Sequence, residues 1–192
     1  RVLPAIRAAL DAAPIRGRIT LSGYEGSELL VARLLIESGA DLRYVGTACP
    51  RTRWSDADRE WLESKGVHVQ FRASLEQDLA AMAEFKPDLA IGTTPVVQKA
   101  KEAGTPALYF TNLISSRPLM GPAGAGSLAH LINTALGSKS RFDAMKEFFG
   151  DTGSGDVAGI WTEQPQARPD FREQYRRRLE KQAKARKAEE ML

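Results

Sequence analysis

Five short apolar runs punctuate the first 110 residues: "GRITLS" (17–22), "LRYVGTA" (42–48), "VHVQF" (67–71), "DLAIG" (88–92) and "PALYF" (106–110). Each is β-prone and too short for a helix. Between them lie longer segments with apolar residues three and four apart. These are "GSELLVARLLIESG" (26–39), "SDADREWLESKG" (55–66), "SLEQDLAAMAEF" (74–85) and "PVVQKAKEAG" (95–104). The first is apolar almost all the way round and predicts a helix buried against a sheet. Ser55 reads as an N-cap, Gly66 as a C-terminal stop, and Pro95 as a helix start. Acidic residues open the helix over 74–85. Strand and helix in alternation, with short connections, predict an α/β fold: a parallel sheet of about five strands with helices on both faces.

The flanks are helical too. "RVLPAIRAALDAAP" (1–14) is amphipathic, and "SLAHLINTAL" (127–136) is read with Ser127 as its cap. "SRFDAMKEFF" (140–149) places Phe142, Met145 and Phe149 on one stripe, a packing pattern. Between the last strand and residue 127 runs "SSRPLMGPAGAG" (115–126), whose glycines and prolines predict a loop. The chain then divides into a domain over 1–150, a linker over 151–170 and a C-terminal helix over 171–192. The apolar stripe of that last helix is thin (Phe171, Tyr175, Leu179), so docking would order it.

Charge sharpens this division. From Pro165 onward nine Lys and Arg face five acids, so the tail carries +4 while the remaining residues sum to −1. The basic character therefore belongs to the tail, which reads as a solvated helix face or a dock for an acidic partner or a membrane surface. It marks no nucleic-acid surface on the body. With 43% apolar and 27% charged residues the composition is that of a globular protein, and no apolar run approaches the roughly 20 residues of a membrane span. One cysteine, Cys49, and two separated histidines, His68 and His130, make no zinc or iron–sulfur site from its usual ligands. No metal ligand is assigned.

In an open parallel sheet, ligands bind beyond the carboxyl ends of the strands. The candidate loops are 23–27, 49–54, 72–74, 93–95 and 115–126. A dinucleotide signature is missing: "GYEGSE" gives only G-x-x-G, and the second strand ends without an acid for a ribose hydroxyl. "GPAGAG" lacks the Lys–Ser/Thr ending of a P-loop. An anion site at the helix starting near Ser127 is physically allowed. Cys49 is read as a small buried side chain, or else as a thiol activated by Arg51. His130 is read as a packed residue, and no catalytic triad is assembled. Glu25 is the sole carboxylate in a candidate loop, either touching a ligand or capping the next helix. No catalytic residue is assigned.

"TACPRT", "IGTTPVVQKAK" and "SRPLMGPAGAGSLA" carry a specific resemblance. Over roughly residues 17–149 the chain resembles the Y-type subunits of chlorophyllide a reductase, within the nitrogenase-like component 1 oxidoreductases. That resemblance implies a Rossmann-like domain, the carboxyl-terminal one of a larger subunit. It implies reduction of the C7=C8 double bond of chlorophyllide a, in bacteriochlorophyll synthesis, by a heterotetramer. Electrons would come from an ATP-hydrolysing iron–sulfur X-type protein through a [4Fe–4S] cluster shared with a Z-type subunit. The cluster cysteines of the family lie outside these residues, so this chain alone is expected to be inactive. The location implied is cytoplasmic, at most peripheral to photosynthetic membranes. The glycine segment becomes a cavity wall. Arg117 would pair with a propionate, Met120 and Gly121 would lie against the macrocycle, and Glu25 and Thr94 would face substrate from neighbouring loops. The competing reading is a free-standing binding domain for a small anionic or sugar-nucleotide ligand.

Overall fold

In the computed structural model, residues 2–115 and 121–149 are described. Helix α1 (Leu3–Asp11) precedes strand β1 (Arg18–Gly23), and the chain then alternates through α2 (Glu28–Glu37), β2 (Asp41–Thr47), α3 (Asp56–Ser64), β3 (His68–Phe71), α4 (Leu75–Phe85), β4 (Leu89–Gly92), α5 (Thr94–Glu102) and β5 (Ala107–Tyr109). Three helices follow: α6 (Phe110–Ser115), α7 (Gly121–Leu136) and α8 (Lys139–Phe149). The five strands form one all-parallel sheet in the order β3-β2-β1-β4-β5. The reversal of direction falls between β1 and β4, and it opens a crevice there at the carboxyl edge.

Strand alternation sends two kinds of side chain to the two faces. Ile19, Leu21, Leu89 and Ile91 point to one face and are 0–1% exposed. There they meet Val31, Ala32 and Leu35 of α2 and Leu128, Ala129 and Ile132 of α7. Each such aliphatic side chain contributes about 1.5–3 kcal/mol when fully buried. The other face is built from smaller and more polar residues: Thr20 and Ser22 of β1, Tyr44 and Gly46 of β2, Ala90 and Gly92 of β4. Ala90 packs there with Val97 and Ala100 of α5 and Ala107 of β5. Both faces are covered, as the strand pattern predicts. On α2, Leu30 is 46% exposed, so the helix is buried on one side only.

Several local expectations are corrected. "GPAGAG" is no loop: α7 begins at Gly121, with φ +72, and runs unbroken to Leu136. Pro122 falls in the first turn, where its missing N–H costs nothing. Gly124 and Ala125 are buried in α7, and the space a Cβ at Gly126 would take ends 3.7 Å from Ala9 Cβ of α1. Small residues there let the first helix lie close on the seventh. Ser127 is thus interior to α7, not its cap, so no helix starts there to hold the anion that the sequence allowed. Phe110 opens α6 and does not close β5. Ser55 does precede α3, but its Oγ bonds Thr52 (2.7 Å to O, 3.0 Å from N), not a helix amide. Gly66, at φ +80, stops α3 as expected. Ser74 and Gln77 close a reciprocal capping box on α4. His130 is exposed on α7 and not packed. Phe142 and Met145 are half-buried. The linker, the basic helix and the Phe149 side chain lie outside the described residues.

Candidate functional site

The crevice between β1 and β4 holds a cavity of about 510 Å³, lined by Tyr24, Gly92, Thr93, Thr94, Pro95, Tyr109, Thr111 and Asn112. Its walls come from the carboxyl ends of β1, β4 and β5 and from the first turns of α5 and α6. Local chemistry puts them there. Thr93 is extended (φ −72, ψ 168), so α5 starts abruptly, with Pro95 in its first turn. The Thr93 side chain makes no capping bond, which leaves the leading amides of α5 without intrahelical partners. Gly92 is required by crowding: a Cβ there would meet Val96 Cγ1 at 2.6 Å and Ser22 Oγ at 2.8 Å. The Ser22 hydroxyl beneath it is buried and bonds to nothing among the described residues. Across the mouth, Tyr24 and Thr111 share a 3.2 Å hydroxyl–hydroxyl bond. Tyr109 carries Lys101 Nζ 5.2 Å from its ring centre. The lining is neutral and rich in hydroxyls, with two phenol rings and no carboxylate.

The loop that presents Tyr24 is held by a residue the sequence pattern did not single out. Glu28, the first residue of α2, is fully buried. Its Oε1 accepts from the Glu25 N–H at 2.7 Å, and its Oε2 accepts from the Gly26 N–H at 2.8 Å and from the Thr47 hydroxyl at 3.0 Å. Thr47 Oγ1 in turn accepts from the Cys49 N–H at 3.2 Å. One carboxylate therefore ties the loop after β1 to the end of β2, and through the Thr47 hydroxyl to the loop that follows. Glutamate in a first helical turn normally reads as an exposed dipole partner, and its burial here goes with donors from other segments, which the local sequence does not show.

A second cavity, about 350 Å³, opens beside β2 and β3 and is lined by Tyr44, His68, Gln70, Gln77, Ala80, Ala81, Glu84 and Phe85. At its base the Tyr44 hydroxyl donates to Asp78 Oδ1 at 2.8 Å, and both residues are buried. Burial pushes the Asp78 carboxyl above its ordinary value, the Tyr44 bond offsetting only part of that. Burial also raises the Tyr44 phenol, and the Asp78 carboxylate adds to it. His68 stacks on Tyr44 with ring centres 5.8 Å apart.

Of the residues proposed from sequence to face substrate, the structure brings Thr94 into the crevice. Glu25 lies on the exposed loop after β1; its amide donates to Glu28, and no side chain caps α2 among the described residues. Gly121 is the first residue of α7. Arg117 and Met120 lie outside the described residues. Cys49 is a half-buried free thiol, with Sγ 3.8 Å from the Tyr24 carbonyl. Arg51 Nε pairs with Asp56 at 2.6 Å and holds that carboxyl below its usual range. Trp54, 77% exposed, lies under Arg53, whose guanidinium is 4.4 Å from the ring centre. Among the described residues no three His, Cys, Asp or Glu side chains form a metal-binding group. None of the described helices is long and apolar enough to cross a membrane.

A doubly wound parallel sheet with a hydroxyl-lined crevice at its switch point defines an α/β domain of the ligand-binding kind. This chain belongs to the nitrogenase component 1 type oxidoreductases, whose family model matches residues 1–136. It is 69% identical over 190 residues to the chlorophyllide reductase 52.5 kDa chain of Cereibacter sphaeroides, which covers 99% of this chain and 38% of that one. The chain of the same name from Rhodobacter capsulatus is 68% identical over 189 residues, covering 98% of this chain and 38% of the relative. The chain thus spans well under half the length of these curated relatives. Among solved structures, nitrogenase Cp1 at pH 6.5 superposes with a TM-score of 0.54 at 18% identity, over 83% of this chain and 35% of that one. Cp1 at pH 5 gives 0.53 at 14% identity. These superpositions bear on the fold alone.

Proposed function

We propose that this chain supplies a Rossmann-like domain of the Y-type subunit of a chlorophyllide a reductase, which reduces the C7=C8 bond of the pigment. The observation that carries the reading is near-end-to-end identity, at 68–69%, with two chlorophyllide reductase chains. The free-standing binding domain is disfavoured by the same match. The domain would end near residue 150, with a linker over 151–170 and a basic docking helix over 171–192. The cluster and the electrons belong to the larger assembly: a Z-type partner subunit and an ATP-hydrolysing iron–sulfur X-type protein. The one cysteine here, Cys49, stands apart from any ligand group among the described residues, so this chain does not fit a [4Fe–4S] cluster by itself.

What these residues contribute is a surface for the pigment. Tyr24 and Tyr109 offer ring faces for stacking on a flat macrocycle. The leading amides of α5 and the Thr94 and Thr111 hydroxyls favour its carboxylate or carbonyl substituents. Gly121 and the adjoining Met120 and Arg117 would complete the wall, with Glu25 at the rim. The test is an anaerobic titration of the assembled reductase with chlorophyllide a, read by pigment absorbance. Bulk at the crevice in Thr94→Trp is expected to weaken pigment binding at least about tenfold, which is about 1.4 kcal/mol. Unchanged pigment affinity in that variant would remove the crevice from the site. An assembled complex that binds no chlorophyllide a would overturn the functional reading itself.

A further inference from the structure

The turn after β1 is where doubly wound sheets ordinarily receive a phosphate, on free amides at the start of the first crossover helix. Here the amides of Glu25 and Gly26 converge on one point, and Gly26 takes φ +85, the left-handed conformation that makes consecutive N–H groups into an anion-binding concavity. The concavity is occupied by the chain's own Glu28 carboxylate, at 2.7 and 2.8 Å from those amides. Ser27, the residue placed to cap α2, makes no capping bond, and its buried hydroxyl has no partner among the described residues. Gly23 is shaped to the same occupant: a Cβ there would lie 2.5 Å from Glu28 Oε1 and 2.8 Å from Phe110 Cδ1.

We infer that Glu28 is a built-in anion that closes the phosphate turn of this sheet and positions the Tyr24 loop at the mouth of the crevice. Two consequences follow from the geometry. Phosphate-bearing ligands are excluded from the place such folds usually hold them, so recognition shifts across the switch point to the α5 side. The loop carrying Tyr24 is fixed from inside, through a carboxylate that takes two donors from that loop and one from the end of β2. The inference rests on the hydrogen-bond geometry of Glu28 and stands apart from the identity of the substrate.

The full chain carrying Glu28→Ala is compared with wild type in thermal unfolding, with sodium formate or inorganic phosphate added against sodium chloride at matched ionic strength. The variant should melt below wild type and regain part of the loss as formate rises, because a small carboxylate re-enters the nest. Wild type should show no such response. Glu28→Gln keeps the volume but turns an amide N–H₂ toward amide donors, so it should also melt lower and be insensitive to formate. Equal responses of Glu28→Ala to formate and chloride would overturn the inference. So would a Glu28→Gln protein as stable as wild type. Amide exchange of the wild-type protein gives a reading that requires no variant to fold. The Glu25 and Gly26 amides should exchange more slowly than those of the exposed residues Arg53 and Trp54. Equal exchange would mean that the carboxylate does not hold them.

Discussion

Replacing Tyr44 by Phe deletes one oxygen from the base of the second cavity and leaves a buried carboxylate without its donor. The hydroxyl donates to Asp78 at 2.8 Å, and the two residues are only 3% and 8% exposed. A hydrogen bond to a charged group contributes about 1.5–3 kcal/mol, against about 0.5–1.5 for a neutral pair. A loss of ~2 kcal/mol is therefore expected when Asp78 is ionised, lowering Tm by ~4–8 °C at about 2–4 °C per kcal/mol for a chain of this length. The sign of the pH dependence follows from linkage. Folding raises the Asp78 carboxyl, so between its ordinary and raised values the folded state holds a proton that the unfolded state has released. Wild-type stability should fall as pH climbs through that window and level off above it. In acid, where the carboxyl is neutral, Tyr44→Phe should cost about half as much. Asp78→Asn cannot ionise yet still accepts from Tyr44, so it should gain on wild type as pH rises through the window. Urea unfolding across a pH series measures all three proteins. A Tyr44→Phe cost below ~0.5 kcal/mol at neutral pH, or one independent of pH, would refute the reasoning.

Three further substitutions probe the packing around the crevice and the helix ends. Gly92→Ala drives a Cβ against Val96 of α5 and Ser22 of β1, and should cost about 1–3 kcal/mol in urea unfolding. Ser22→Ala removes a buried hydroxyl that bonds to nothing among the described residues, so stability should stay level or rise, by up to about 1 kcal/mol. Lys86 ends α4 in the left-handed region at φ 45, and Lys86→Gly should raise stability by about 1 kcal/mol, measured as an upward shift in Tm.

The sheet was legible because central parallel strands buried on both faces leave unmistakable short apolar runs, such as "GRITLS" and "DLAIG". Helix ends were legible where one residue carries the signal, as at Gly66, whereas the Ser74 cap, read as part of its helix, was not. Reading failed where local preference and tertiary context part. "GPAGAG" looks like a breaker, yet its small residues let α1 lie close on α7, and that packing outweighs the glycines' intrinsic reluctance to be helical. The site was partly legible: Thr94 lies at a strand end and lines the crevice. Tyr24, Tyr109 and Thr111 were missed because each is ordinary in its own segment and becomes a neighbour only once β1 and β5 flank β4. Glu28 was missed for a related reason, since nothing in "GSELL" distinguishes a buried acid from a solvated one.

The pairing of α1 with α7 also has a consequence for how the chain is made. About 110 residues separate the end of the first helix from the start of the seventh. At about 5–20 residues per second on a ribosome, α1 waits roughly 5–20 s for its partner to be synthesised. During that interval Leu10, later 1% exposed, and the rest of the apolar stripe have no α7 to cover them. The nascent chain thus carries a sticky, unpaired helix throughout that interval, a natural point for a chaperone to hold.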